Sequence, residues 1–195
     1  MVKIIKQLGH TGSEATVYLA ESETVQEKFY AVRVINKPVS ADQFRQEVAF
    51  QKVCAQRNIS PHITFADEET QTIMMDCMDS LLVKYINSMH KLKLKHQEDI
   101  LFIFKTLDEL KIFHGDANLL NYMVHNGCVY IVDFGMAKHI DNKLISALGT
   151  STPNMDLGLL SFMLKLRERH VLPSGYKRLK QALSPEMEKL FMMRK

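Results

Sequence analysis

The sequence predicts an α+β protein in which a small antiparallel sheet precedes a mainly helical part. Three observations lead to this prediction. The 195 residues are 46% hydrophobic and 24% charged, so the chain can bury a core and has room for one domain. The first 76 residues contain short β-branched and aromatic runs separated by turn residues. Later residues place apolar side chains at helical spacing.

The first part contains five predicted strands, each bounded by polar turn residues or by glycine and proline. They lie at residues 4–5, 16–19, 29–35, 63–65 and 72–75. The first three favour an antiparallel meander, and the last two favour a hairpin.

A helix is predicted between the third and fourth strands. Residues 40–42 supply N-cap candidates for a helix that continues to about residue 56. Phe44, Val48 and Val53 recur near helical spacing, which predicts one apolar face.

The second part is expected to be helical apart from one hairpin. A long helix is predicted from about residue 97 to residue 111, with apolar side chains along one face. Short strands are predicted at residues 122–124 and 129–132, joined by a turn at 125–127, and helices are predicted after about residue 155.

Composition excludes several classes of protein. The 25 basic and 22 acidic residues give a formal net charge of +3, too weak to indicate a strong nucleic-acid-binding field. Cys54, Cys77 and Cys128 show no C-x-x-C pairing, so neither a disulfide framework nor a zinc site is indicated. No apolar run approaches the roughly 20 residues of a membrane span. The expected location is cytoplasmic, with the nucleus also open.

The residues that suggest chemistry lie between positions 114 and 135. His114-Gly115-Asp116 precedes Asn121 by five residues, counted from the aspartate, and Asp133-Phe134-Gly135 begins twelve residues after Asn121. An apolar strand lies between them. Oxygen ligands on loops that flank a hairpin can converge on one hard cation, and a further carboxylate can face a nucleophile.

This order of motifs resembles the signature of the protein-kinase-like superfamily. The resemblance implies a single minimal kinase domain over residues 1–195, with a two-lobed kinase-like fold. A small antiparallel-sheet N-lobe would occupy residues 1–76, and a reduced, mainly helical C-lobe would occupy residues 77–195. It also implies ATP as phosphate donor, Asp116 as acceptor of the substrate proton, and Asn121 and Asp133 as Mg²⁺ ligands.

A segment near the N-terminus resembles the glycine-rich nucleotide loop of the same superfamily. Of its three glycines only Gly12 is present here. The resemblance implies that Gly12, Ser13, Ala15 and Val17 bind the nucleotide. The G-x-E-A-x-V pattern and the HGD triplet are similar to the KEOPS-complex kinase, which with the RIO kinases belongs to a compact atypical branch.

The third strand departs from the family pattern. Ala31 and Arg33 align with the V-A-I-K motif, so Arg33 stands where the family has its phosphate-binding lysine, and Glu47 is its expected partner. Arginine keeps the charge but is planar and forked, so it is not equivalent to an ammonium group. Asp76 and Met78 lie in the segment expected to contact adenine.

The residues after the DFG motif also depart from the pattern. Only 20 residues separate Gly135 from Asp156, and no A-P-E triplet occurs, which predicts a truncated activation segment. The resemblance implies that Asp156 begins a buried helix and braces the catalytic loop.

The expected function is ATP- and magnesium-dependent phosphorylation of serine or threonine hydroxyls on protein. Two alternatives stay open. Arg33 and the eroded glycine loop suggest a non-catalytic pseudokinase that binds a partner. The HGD triplet and the missing A-P-E suggest a small-molecule kinase of the aminoglycoside phosphotransferase type.

The expected partners are a protein substrate and a complex partner that completes the short C-lobe, with neither membrane nor nucleic acid expected. Basic residues cluster late in the chain, where Lys177 and Arg178 are adjacent. A solvated helical face is the favoured interpretation of that cluster, with an acidic partner or RNA as the alternative.

Overall fold

The computed structural model describes residues 2–8 and 15–194, apart from the side chains of residues 87–89. The chain forms two compact units. The first ends at Met78 and the second begins at Asp79.

The first unit is built on a five-stranded antiparallel sheet. Its strands are β1 (Val2–Leu8), β2 (Ala15–Ser22), β3 (Phe29–Ile35), β4 (Ile63–Asp67) and β5 (Thr72–Asp76). Their order across the sheet is β1-β2-β3-β5-β4, so the first three form a meander and the last two a hairpin. All five predicted strands are confirmed.

One helix, α1 (Ala41–Gln56), covers a face of this sheet. Ser40 caps it, because its hydroxyl accepts from Gln43 N while the Gln43 side chain accepts from Ser40 N. Phe44 and Val48 pack with sheet residues in a buried core. Val53 was predicted on this face but is 38% exposed. It follows Phe44 by nine residues, which at 100° per residue places it about half a turn away.

The second unit contains six helices and five short strands within its described residues. In chain order they are β6 (Ser80–Leu81), α2 (Leu82–Met89), α3 (Leu94–Glu109), β7 (Ile112–Phe113), β8 (Tyr122–His125), β9 (Cys128–Ile131), β10 (Lys138–His139), α4 (Asn142–Leu148), α5 (Leu159–Glu168), α6 (Lys177–Lys180) and α7 (Pro185–Met193). Strands β6, β8 and β9 form one antiparallel sheet, and β7 pairs with β10.

Three aromatic rings hold the centre of this unit. Phe104 of α3, Tyr122 of β8 and Phe162 of α5 meet edge to face, with ring centroids 4.8–6.3 Å apart. All three are at most 2% exposed. The strand pair that carries the candidate chemistry is therefore anchored on two helices.

The predicted elements of this unit are confirmed with shifted ends. Helix α3 begins at Leu94 rather than at residue 97. The sequence pattern missed its first turn because Leu94 is exposed there, so this turn shows no apolar periodicity. The hairpin turns at Asn126 and Gly127, which both have positive φ, as a two-residue turn requires. Helix α4 lies within the predicted truncated activation segment, where no helix was predicted. None of the helices in the described ranges has the length and apolar character needed to cross a bilayer.

Candidate active site

The HGD triplet follows β7, and its glycine is required by the backbone. Gly115 has φ +79°, a region that favours glycine. A Cβ there would lie 3.0 Å from the backbone oxygen of Met136. A side chain at this position would therefore adopt a strained backbone conformation and press against the segment after the DFG motif.

His114 joins the two loops that carry the candidate residues. Its ring is 2% exposed, with Nδ1 3.0 Å from the carbonyl oxygen of Asp116 and Nε2 3.2 Å from that of Val132. Burial lowers the pKa of His114, which favours the neutral ring, and a neutral ring donates to only one of these carbonyls. Sequence analysis gave His114 no role of its own.

Asp116 is held by its own loop. Its Oδ1 accepts from Asn118 N at 3.0 Å and its Oδ2 accepts from Asn121 Nδ2 at 2.8 Å. The carboxylate is half-buried and Asn121 is buried. Because the amide nitrogen of Asn121 is used as a donor, its Oδ1 is the atom suited to ligate a cation.

Asp133 follows β9 in an unusual conformation. Its φ is +68°, a left-handed region that a non-glycine residue seldom adopts. The neighbouring residues fix it, since Val132 N donates to Asn121 O at 2.9 Å and Phe134 is 1% exposed. The Phe134 ring also meets the His114 ring edge to face at 5.0 Å. The structure thus brings the Asp116, Asn121 and Asp133 loops together.

A buried group of hydrogen-bonded polar residues, here called the brace, contacts the start of the candidate catalytic loop, residues 114–121. Asn154 accepts from His114 N at 3.1 Å through Oδ1, and its Nδ2 donates to Asp108 Oδ1 at 2.7 Å and to Ile112 O at 2.8 Å. Asp108 also accepts from the backbone N–H of Asn154 and Met155. Burial raises the pKa of Asp108.

Asn154 therefore does what was expected of Asp156, and that prediction was wrong. Asp156 instead accepts the hydroxyl hydrogens of Thr150, at 2.5 Å, and Thr152, at 3.2 Å. Asn154 stands two residues before Asp156, at the start of the π-helix Asn154–Gly158 that leads into α5.

In the first unit, Arg33 and Glu47 form the expected ion pair. Arg33 Nη1 lies 2.5 Å from Glu47 Oε1, and the two side chains are 11% and 5% exposed. Val17 of β2 is the cross-strand partner of Arg33, and Ala31 lies two residues before Arg33, so the three share one face of the sheet. Ala15 lies further along the same face.

The other residues predicted to bind the nucleotide are Asp76, Met78, Gly12 and Ser13. Asp76 ends β5 and donates its N–H to His62 O at 3.0 Å, and Met78 is the last residue of the first unit. Both are half-buried. Gly12 and Ser13 lie outside the described residues.

A cavity of about 790 Å³ opens beside Asp116. The catalytic loop forms one wall, and Ser161 and Lys165 of α5 contribute to the other. The hydroxyl of Tyr122 is buried in the lining and has no hydrogen-bond partner among the described residues. Burial, with a contribution from the charge of Asp116, raises the pKa of Tyr122. The cavity thus combines a carboxylate, an ammonium group and an unsatisfied hydroxyl.

A comparison with protein-family models decides the family. The model of the protein kinase domain matches residues 2–153. The chain belongs to the protein kinase domain family. No curated protein matches the chain. The match covers the first unit and the second unit as far as residue 153, so Asn154 and α5 to α7 lie beyond it.

Membership of the kinase family makes this a kinase-type phosphotransferase domain with the two-lobed α+β kinase fold. Kinase domains generally use ATP and Mg²⁺. The oxygen atoms of Asn121 and Asp133 suit Mg²⁺, which is usually held by one or two protein ligands, water and substrate phosphates. Residues 2–8 and 15–194 contain no cluster of three His, Cys, Asp or Glu side chains that could hold a metal ion.

Proposed function

We propose that the protein is an ATP- and Mg²⁺-dependent kinase that phosphorylates serine or threonine hydroxyls on protein. The observation that carries the proposal is the carboxylate of Asp116, oriented by Asn118 N and Asn121 Nδ2 in a half-buried loop. A fixed, partly solvated carboxylate is suited to align an acceptor hydroxyl and take its proton.

Asp133 and Asn121 are the proposed Mg²⁺ ligands. Bound Mg²⁺ supplies neutralisation of phosphate charge. Asn121 supports this role because its amide nitrogen is already engaged with Asp116 at 2.8 Å, which directs its oxygen to a cation. The constrained φ of Asp133 supports the same role, because strained backbone is retained where a side chain must be aimed.

Arg33 is the proposed phosphate-binding cation of the first unit. Its contact with Glu47 orients the guanidinium and limits the freedom that would be lost on binding. Gly12, Ser13, Ala15, Val17 and Ala31 are proposed to line the nucleotide with it, and Asp76 and Met78 to meet the adenine. Rate enhancement would come mainly from positioning and charge neutralisation.

The deciding experiment measures transfer of labelled phosphate from ATP with Mg²⁺ to a mixture of protein acceptors. Wild-type protein is compared with Asp116→Asn, which keeps the size of the side chain but removes the proton acceptor. Loss of roughly 10²- to 10⁴-fold in transfer is expected. Asp42→Asn is the matched control, because Asp42 is an exposed surface carboxylate of α1. Equal transfer by wild type and Asp116→Asn would overturn the assignment.

Arg33→Lys tests the departure from the family pattern. A gain in transfer would show that the guanidinium limits the rate. Mg²⁺-dependent ATP binding without transfer by any variant would instead favour the pseudokinase alternative.

A small-molecule acceptor is the second candidate, because the 790 Å³ cavity beside Asp116 falls in the size range of small-ligand pockets. Small hydroxyl compounds are therefore assayed in parallel with protein. Labelling of these compounds alone, abolished by Asp116→Asn, would assign the protein to that class.

A further inference from the structure

Two segments of this chain, residues 80–97 and 169–185, contain basic residues but no acidic ones. Together these segments contain eight of the 25 Lys and Arg residues and none of the 22 Asp and Glu residues. The rest of the chain keeps 17 basic and 22 acidic residues, a net charge of −5. The weak overall excess of +3 therefore conceals a strongly basic region on a mildly acidic protein.

The second unit brings these two segments together around a cavity of about 630 Å³. Lys91 and Lys93 line it from the segment before α3, and Lys177 and Arg178 line it from the start of α6. No carboxylate is among its lining residues in the described part of the chain. Two other cations of the segments are paired with carboxylates, Lys95 with Asp99 and Lys180 with Glu188, and neither lines the cavity.

The two walls are fixed to each other by one buried side chain. Gln97 is 4% exposed, and its Nε2 donates to Leu92 O at 2.9 Å and to Gly175 O at 3.2 Å. Its Oε1 accepts from Arg178 N at 2.9 Å. A Cβ on Gly175 would lie 2.9 Å from Lys91 Cβ, so the walls touch. The four cations therefore project from a preformed frame, which lowers the entropic cost of binding.

Helix α3 adds to the positive potential of this cavity. It has 16 residues, its N-cap residue Lys93 and its first residue Leu94 line the wall, and no side chain caps its N-terminus. The positive end of a helix dipole favours anions, and it acts here together with the four side-chain charges.

We propose that this cationic pocket binds a small soluble compound that carries several phosphate groups. Several cations without a carboxylate match clustered phosphates, which accept charge-assisted hydrogen bonds from both lysine and arginine. A volume of about 630 Å³ is that of a small-ligand pocket. The net charge of −5 outside the two segments opposes a long polyanion, whose backbone would continue over the acidic remainder. The site lies apart from Asp116 and is independent of phosphate transfer.

The test is calorimetric titration of the full chain with inositol hexakisphosphate in the absence of ATP, which itself carries three phosphate groups and would compete for the pocket. We expect binding by wild type and a loss of about tenfold or more in affinity for Lys177→Glu/Arg178→Glu, since two charge-assisted contacts are reversed. Lys52→Glu/Lys189→Glu is the control, because it makes the same change in net charge at exposed lysines outside the pocket. The control is expected to bind as wild type does.

Three results would overturn the proposal. They are no binding by wild type, an equal loss in both double variants, and tighter binding of single-stranded RNA than of the compact polyphosphate at equal salt. Circular dichroism of each variant confirms its fold. Retention of wild-type affinity by a folded Lys177→Glu/Arg178→Glu variant would also place the ligand elsewhere.

Discussion

At the scale of single residues, two positive φ angles mark the loops of the candidate site. Gly115 adopts its φ of +79° without steric cost, whereas Asp133 at +68° stores strain of about 1–3 kcal/mol. Aspartate is among the residues that tolerate this region best. The contacts of Val132 and Phe134 hold Asp133 in place, so the rest of the unit offsets that strain.

Gly115→Ala should destabilise the protein more than Gly127→Ala. Both glycines have φ near +75°, but a Cβ on Gly115 meets the Met136 backbone at 3.0 Å, whereas one on Gly127 meets nothing within 4 Å. We expect a loss of about 1 kcal/mol for Gly127→Ala and an additional loss of about 1–3 kcal/mol for Gly115→Ala. Urea unfolding followed by circular dichroism measures both, since the chain has no tryptophan. Equal losses would show that the Met136 contact relaxes freely.

Stability should fall as the pH drops below about 6.5. Burial lowers the pKa of His114 and of His96, so the unfolded chain binds protons in this window while the folded chain does not. Stability is therefore present above the unfolded pKa of about 6.5 and falls until the lower folded values are reached, with a slope of up to about 1.4 kcal/mol per pH unit for each histidine. Unfolding curves between pH 5 and pH 8 measure it.

The two variants that check this assignment are His114→Gln and, as control, His139→Gln. His139 is exposed on β10. The slope should be smaller in His114→Gln and unchanged in His139→Gln. An unaltered slope in both variants would assign the pH dependence to other groups.

At the scale of elements, the catalytic loop is held by helices that contact it through polar groups. Asp108 at the end of α3 and Asn154 before α5 are 5% and 1% exposed, and their hydrogen bonds satisfy each other and the backbone of β7 and His114. A fully satisfied buried network rigidifies what it contacts, because every alternative arrangement leaves a buried polar group without a partner. Asp108 and Asn154 thus fix the backbone just before Asp116, the candidate base.

Asn154→Ala should lower both stability and phosphate transfer. The substitution leaves the Asp108 carboxylate and His114 N without their partner, for a loss of about 2–4 kcal/mol. Asn142→Ala is the control, because Asn142 is exposed at the start of α4. Thermal unfolding and the labelled-ATP assay are measured below the unfolding transition of each variant. Wild-type stability in Asn154→Ala would show that the brace contributes little.

Sequence patterns predicted the elements better than the contacts between them. The β-branched runs predicted all five strands of the first sheet. The spacing of Ile100, Phe104 and Leu107 predicted α3, because helical periodicity reflects the burial of one face. The ion pair of Arg33 and Glu47 is present, and it could be predicted because the two positions align with a known motif. The brace was assigned to Asp156 instead of Asn154, since the buried hydrogen bonds that identify Asn154 leave no periodic signal in the sequence.

Helix α4 has capping residues at both ends that could have indicated a helix in the sequence. Asp141 accepts from Leu144 N at 2.8 Å as the N-cap, and Gly149 ends the helix at φ +71°. The segment has no buried residue, so it lacks the apolar stripe that identifies most helices. Its capping residues are its only sequence signal, and they carry less weight than periodicity.

At the scale of the whole molecule, each unit has its own core, and the second depends on residues beyond the family match. Leu159, Phe162, Met163 and Leu166 of α5 are each 0% exposed, and Asn154 completes the brace. The helices after residue 153 are therefore part of the core under the catalytic loop, although the kinase-domain match ends before them.

A chain that ends after residue 153 should fail to form a folded second unit. Each of the four fully buried side chains of α5 contributes about 2–5 kcal/mol, and together they approach or exceed the about 5–15 kcal/mol by which most proteins are stable. A chain that ends after residue 183 loses only α7, whose one buried side chain is Phe191, and should remain folded. Amide hydrogen exchange distinguishes the two, because protection of α3 and β8 requires the core. Persistent protection of these elements in the shorter chain would show that α5 is dispensable to the fold.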